Sequence, residues 1–294
     1  MSNSGGFVIL DSNLTAQNRV GKQVIRAVLL FALLAAPGFA QLAGSPAKDQ
    51  SNNCSSARRK LGSFVRWDGD RSAVNEVPIW QLPDSNAFFF ISGMMIDADG
   101  APNAYHPDDT GLDELANAGS PSHWDGIVTD QHGKPLVQLK TDPFPGYYIS
   151  CTSLADRTKE FSDPGRYVDS TEIPYIALPA KIAERARARL GDFAFVVNLR
   201  NGKSSFAIYA DIGTLGEGSV ALAKALGISP NARQGGESDG VLYMLFPGSG
   251  NMRPRTNGEI QIEGEKLLSD SGGIEKIFSC SETGDGPAFG KREF

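Results

Sequence analysis

YADIGTLGEGS, residues Tyr209–Ser219, brings together the end of an apolar strand, two acids, three glycines and a serine. The strand read over Ser205–Ala210 delivers Asp211, and Gly213, Gly216 and Gly218 let the chain bend tightly. Glu217 falls just ahead of Ser219, which is placed as the N-cap of a helix over SVALAKAL, with Gly227 as its stop. Carboxylates in a strand-to-helix turn stand at the rim of a sheet rather than in its core. One reading pairs Asp211 with Glu217 for glycosidic cleavage, in which one carboxyl protonates the leaving oxygen while the other activates water or attacks. The other reading has Asp211 accepting from amides of its own turn and Glu217 favouring a helix N-terminus by its charge. A spacing of six residues leaves both readings open and does not set the separation in space.

Working outward, the apolar pattern is mainly that of strands: Ala87–Met95, Gly126–Thr129, Tyr147–Cys151, Ile173–Leu178, Phe193–Leu199, Ser205–Ala210 and Val241–Phe246. Each run is short, rich in β-branched and aromatic residues, and bounded by turn formers. Asn201-Gly202 predicts a hairpin, because both residue types tolerate the positive φ of a tight turn. Helical spacing is confined to Ala180–Leu190, closed by Gly191, and to Ser219–Leu226. The pattern therefore predicts an all-β fold with a few short helices and long loops.

The chain has 294 residues, 40% of them hydrophobic, which excludes disorder, collagen and coiled coil. With 28 Lys and Arg against 34 Asp and Glu, the net charge of −6 lacks the basic footprint that nucleic acid requires. Ala27–Ala36 is apolar, follows Arg19, Lys22 and Arg26, and leads into Pro37-Gly38-Phe39-Ala40. It is shorter than the roughly 20 residues of a membrane span and reads as a secretory signal peptide over 1–40. A buried hydrophobic helix or an uncleaved anchor is the alternative. A secreted protein follows, extracellular or periplasmic, with no membrane contact after cleavage. Residues 41–53 read as a linker, 54–280 as one catalytic domain, and 281–294 as a flexible tail. Of Cys54, Cys151 and Cys280, the first and last lie near the two ends of the domain and are the favoured disulfide pair.

A second acidic group lies upstream in IDADGAPNAYHPDDTGLDELANAG, with Asp97, Asp99, Asp108, Asp109, Asp113 and Glu114. DADGAP lacks the ligand order and final glutamate of a calcium loop, so solvated loop carboxylates or the lining of a cationic-polymer cleft remain. His106, His123 and His132 have no metal-ligand spacing. Tyr105, Trp124, Tyr147, Tyr148 and Tyr243 could stack on sugar rings or serve the core. No elbow serine, phosphate loop or dinucleotide fingerprint is present, and no cofactor or metal is expected.

Several blocks, in order between about Phe88 and Gly250, carry a resemblance: IDADGAPNAYHPDDTGLDELANAG, HWDGIVTD, PGYYIS followed by TSL, YVDSTEIPYIALP, and YADIGTLGEGSVALAKALGI followed by LYMLFPGSG. They resemble the fungal-type chitosanases, glycoside hydrolase family 75, and their bacterial relatives. The resemblance implies endo hydrolysis of β-1,4 glucosamine links in chitosan with inversion. It makes Asp211 and Glu217 catalytic, here taken as general acid and as the base that activates water, with the roles open to exchange. The same block is similar to double-psi β-barrel proteins such as lytic transglycosylases, expansin-like proteins and inverting cellulases, which implies a six-stranded barrel core over about residues 88–250. Asp97, Asp99, Tyr105, Asp108, Asp109, Asp113, Trp124, Tyr147 and Tyr148 are the expected substrate-binding residues of a monomer. The rival functions are a non-hydrolytic, expansin-like polysaccharide-binding module and a peptidoglycan-cleaving lytic enzyme.

Overall fold

The computed structural model describes residues 58–66, 75–121 and 123–281, all of them in the unit Asp49–Phe294. The segments expected to be a signal peptide and a linker, Cys54, and residues 282–294 of the expected tail lie outside these residues. The strands are β1 (Arg59–Arg66), β2 (Asn75–Gln81), β3 (Phe88–Asp97), β4 (Gly119–Ser120), β5 (His123–Trp124), β6 (Tyr175–Leu178), β7 (Phe193–Asn198), β8 (Ser204–Ile212), β9 (Glu217–Ser219) and β10 (Glu237–Phe246). The helices are α1 (Ala180–Ala186), α2 (Val220–Ala225), α3 (Asn257–Asp270) and α4 (Gly273–Ser281).

Six strands close into a barrel in the order β3-β10-β7-β8-β6-β9, with β9 returning to β3. The β3–β9 and β6–β8 pairs are parallel and the other four antiparallel. Closure leaves no unpaired barrel edge, and the β1–β2 hairpin adds outside it along β3. Alternation along each strand sorts the side chains into two sets. Phe88, Phe90, Met94, Ile96, Ile176, Leu178, Ala194, Val196, Tyr209, Tyr243 and Leu245 fill the interior. Phe89, Phe193, Phe195, Phe206, Ile208, Leu242 and Met244 face outward, under a layer formed by α3, which packs on β7 and β8. Phe90 and Tyr243, paired across β3 and β10, stack at 4.7 Å inside the barrel. Each such ring, wholly withdrawn from water, contributes about 1.5–3 kcal/mol.

The all-β expectation holds, and the helix opening on Ser219 has its cap: Ser219 Oγ accepts from Leu222 N–H at 3.1 Å. Other expectations needed correction. The 180–190 helix stops at Ala186, because Arg187 enters the left-handed region at φ 59°. Residues 126–129 and 147–151 form isolated bridges, Ile127 with Ser150 and Val137 with Tyr148, rather than strands. In the 199–203 hairpin only Gly202 takes positive φ, at 76°. Helix α3 carries a Thr256/Glu259 capping box, yet its apolar stripe is indistinct, with Ile262 exposed and Gly264 on the buried side. That glycine lets α3 approach β8 closely, since a Cβ there would overlap the Phe206 ring. Cys280 is disulfide-bonded and Cys151 is a free thiol. Gly264→Ala should lower stability by about 1–3 kcal/mol through overpacking, read as a lower urea midpoint at constant slope.

Candidate active site

Asp211 and Glu217 are brought together by their register against one residue. Ala177 of β6 pairs with Asp211 of β8 on one side and with Glu217 of β9 on the other. Two strand spacings separate the acids, about 9.5 Å between backbones. Met95 of β3 continues the row beyond Glu217, and Asp97, two residues further along β3, shares its face.

Asp211 reaches that face through an irregularity. Tyr209 points into the barrel and Ala210 out of it, so plain alternation would send Asp211 inward. The β6–β8 register shifts between Ile176 and Ala177: Ile176 pairs with Tyr209 and Ala177 with Asp211, leaving Ala210 as the extra residue. A bulge of this kind re-aims the next side chain. Asp211 therefore meets Ser153, outside the barrel, whose backbone N–H and hydroxyl both donate to its Oδ1 at 2.9 and 2.6 Å.

The facing wall is the excursion from residue 98 to 174, which carries its own small core of Ala98, Ala101, Ala104, Tyr105, Ala118 and Ile127. Between wall and barrel lies a cleft of about 800 Å³, lined by Asp97, Asp99, Tyr105, Asp113, Asn117, Asp125, Cys151, Ser153, Asp211 and Glu217, and by Ala232–Gly235. Tyr105 is buried and donates to Asp99 Oδ1 at 2.6 Å, while Tyr175 donates to the Asp99 carbonyl at 2.9 Å. Two glycines leave space for the acids: a Cβ at Gly126 would stand 2.6 Å from Asp99 Oδ1, and one at Gly213 would fall on Glu217 Oε2. Glu217 Oε2 accepts from Thr214 N–H at 2.6 Å. Arg233, the one Lys or Arg lining the cleft, donates to the carbonyls of Asp109, Gly111 and Asp113 and to the Asp109 carboxylate.

Six carboxyl groups and one guanidinium line this cleft, and burial favours the protonated form of those withdrawn from water. Burial, then the charges of Asp99, Asp211 and Glu217, hold Asp97 well above the usual carboxylate range. Burial and the charge of Asp211 do the same to Asp99, against the Tyr105 hydrogen bond. Glu217 is pushed up to about 7, chiefly by burial and further by Asp211, despite the Thr214 amide. Asp211 is also raised by burial, but the hydrogen bonds from Ser153 and Ile212 oppose the rise. Asp97, Asp99 and Asp211 each offer an oxygen within 4.8 Å of the others, the one such trio among the described residues. A trio of this kind can hold a cation, whether a metal ion or an ammonium group. Burial pushes the Cys151 thiol up to about 12, so it stays protonated.

Of the residues expected from sequence, Asp97, Asp99, Tyr105, Asp113, Asp211 and Glu217 meet in this cleft, and the others do not line it. Asp108 is exposed beside His106, and Asp109 is taken by Arg233. Tyr147 packs on His106 and Phe144, and Trp124 lies against Tyr148 within the wall. Tyr243 belongs to the barrel interior. Ser153, Gly126, Cys151 and Arg233 were not singled out as site residues; the TSL and DGIV segments carry the first two without a chemical signature of their own.

A closed barrel presenting paired, proton-retaining carboxyl groups to a polar cleft defines a glycosidase-type site. Over residues 94–269, more than half of the chain, the sequence matches the family described as fungal chitosanase of glycosyl hydrolase group 75. The chain belongs to that family. No curated protein matches it.

Two outcomes follow from the carboxylate packing. Gly213→Ala should displace the Glu217 carboxyl and lower hydrolytic activity about 10²-fold, the usual penalty for a displacement near 1 Å, with the circular dichroism spectrum unchanged. Because folding raises the Glu217 pKa from 4.5 to about 7, the folded state favours the protonated acid, and stability is lost as pH rises through that window. Glu217→Gln should therefore melt higher than the parent at pH above about 7, the gap closing toward pH 4.5.

Proposed function

We propose that this chain is an endo-acting chitosanase that inverts the anomeric centre and works outside the cytoplasm after losing its leader. The observation that carries the proposal is the placement of Asp211 and Glu217 on one face, either side of Ala177. A backbone separation of about 9.5 Å is compatible with the 6.5–9.5 Å between carboxyls that an inverting pair needs to admit water.

The surroundings favour the exchanged assignment of roles. Glu217, pushed up to about 7, retains a proton near neutrality and is the general acid for the leaving oxygen. Asp211, whose Oδ1 accepts from Ser153 and Ile212, is the better stabilised carboxylate and is the base. In the reaction water attacks the anomeric carbon, its proton passes to Asp211, and the glycosidic bond breaks as Glu217 protonates the departing oxygen. An ammonium group entering beside Asp97, Asp99 and Asp113 favours their ionised forms, so the cleft suits the cationic units of glucosamine. The disulfide at Cys280 fits an oxidising compartment.

Asp211→Asn and Glu217→Gln should each lower reducing-end release from chitosan by at least about 10²-fold while keeping the fold, and proton NMR of early products should show the α-anomer. Substantial activity in Glu217→Gln would favour a single-acid lytic enzyme, and undiminished binding without turnover in the parent would favour a binding module. Affinity for chitosan oligomers should fall as salt rises.

A further inference from the structure

Asp211 is anchored by a single oxygen. Besides the two donors of Ser153, the N–H of Ile212 reaches Oδ1 at 2.8 Å. The same N–H lies 3.2 Å from Ser153 Oγ, so strand β8 orients the hydroxyl that in turn holds the carboxylate of that strand. Oδ2 receives no donor among the described residues and is the oxygen left to react.

We infer that Ser153 is a positioning residue for hydrolysis: its hydroxyl fixes the rotation of the Asp211 carboxylate, so that Oδ2 takes the proton of the attacking water, and keeps that carboxylate ionised. The inference rests on the acid/base reading above. Ser153 is 58 residues from Asp211 in sequence and belongs to the wall, so its contact with the barrel is made by the folding of the excursion. Its side chain is exposed and belongs to no apolar cluster, so removing the hydroxyl opens no cavity in the core. The 2.6 Å separation is that of a charge-assisted O–H···O⁻ bond.

Burial works against the ionisation of Asp211, and the titratable groups that face it are acids, phenols and a thiol. Asp97 and Asp99 face it from β3 and the turn beyond, Glu217 from β9, and Cys151 from the wall. Tyr175 approaches from β6 and Tyr209 from its own strand. None is a cation, which leaves the donors on Oδ1 as the counterweight.

The test is the pH dependence of kcat and KM on chitosan oligomers for the parent, Ser153→Ala, Ser153→Thr and Asp211→Asn. Ser153→Ala should keep the parent's circular dichroism spectrum, melting slightly lower at neutral pH, with the acid limb of kcat/KM moved up by about 0.5–1 pH unit. That is a three- to tenfold loss below the limb and a near-parental rate above it. Ser153→Thr, which keeps the hydroxyl, should restore the limb. An unmoved acid limb, a uniform rise in KM at every pH, or no rescue by threonine overturns the assignment. Parental activity in Asp211→Asn would instead overturn the catalytic reading, so the two failures are distinct.

Discussion

Four carboxyl groups, those of Asp97, Asp99, Asp211 and Glu217, share one partly dehydrated cleft, and they cannot all be ionised there. Repulsion that would loosen an ordinary core is relieved by leaving protons on some members and by aiming donors at others. Tyr105 serves Asp99, Thr214 serves Glu217, and Ser153 with Ile212 serves Asp211. The same strain makes an acid available near neutrality, because a carboxyl held at about 7 is a proton donor where a free one is not. Catalytic potential and local instability here share one cause.

The barrel sustains this crowding because its closed hydrogen bonding fixes where each acid projects. Asp211 depends on the extra residue Ala210 to leave the interior, and Glu217 depends on a three-residue strand held between β3 and β6. Space is as important as bonding: Gly213 and Gly126 are positions where a single methyl group would collide with a carboxylate oxygen. Arg233 completes the arrangement by gripping three carbonyls of the wall. A planar guanidinium makes that grip, and a lysine would not reproduce it.

Much of this was legible in the sequence, and the residues show why. Short apolar runs announced β3, β6, β7, β8 and β10, and the acid, glycine and serine order of residues 209–219 announced the site, since turn chemistry is local. Strand β9 was hidden inside that same passage, because Glu217–Ser219 is too short to show alternation. Helix α3 was hidden because its buried side carries a glycine while Ile262 faces solvent, which blurs the apolar stripe. Among the binding residues, composition could not separate Asp113, folded into the cleft, from Asp108, left in solvent. The partnership of Ser153 with Asp211 spans 58 positions and has no local trace.

The wall has a small core of its own and joins the barrel through Leu154, Val168 and Ser153. Residues 98–174 leave β3 and return at β6, contribute no strand to the closed barrel, and pack around alanines, Tyr105 and Ile127 of their own. Insertions or exchanges in the outer turns of that lobe leave the pairing of the six staves untouched. Substrate preference can therefore drift through this lobe while the reacting groups keep their places.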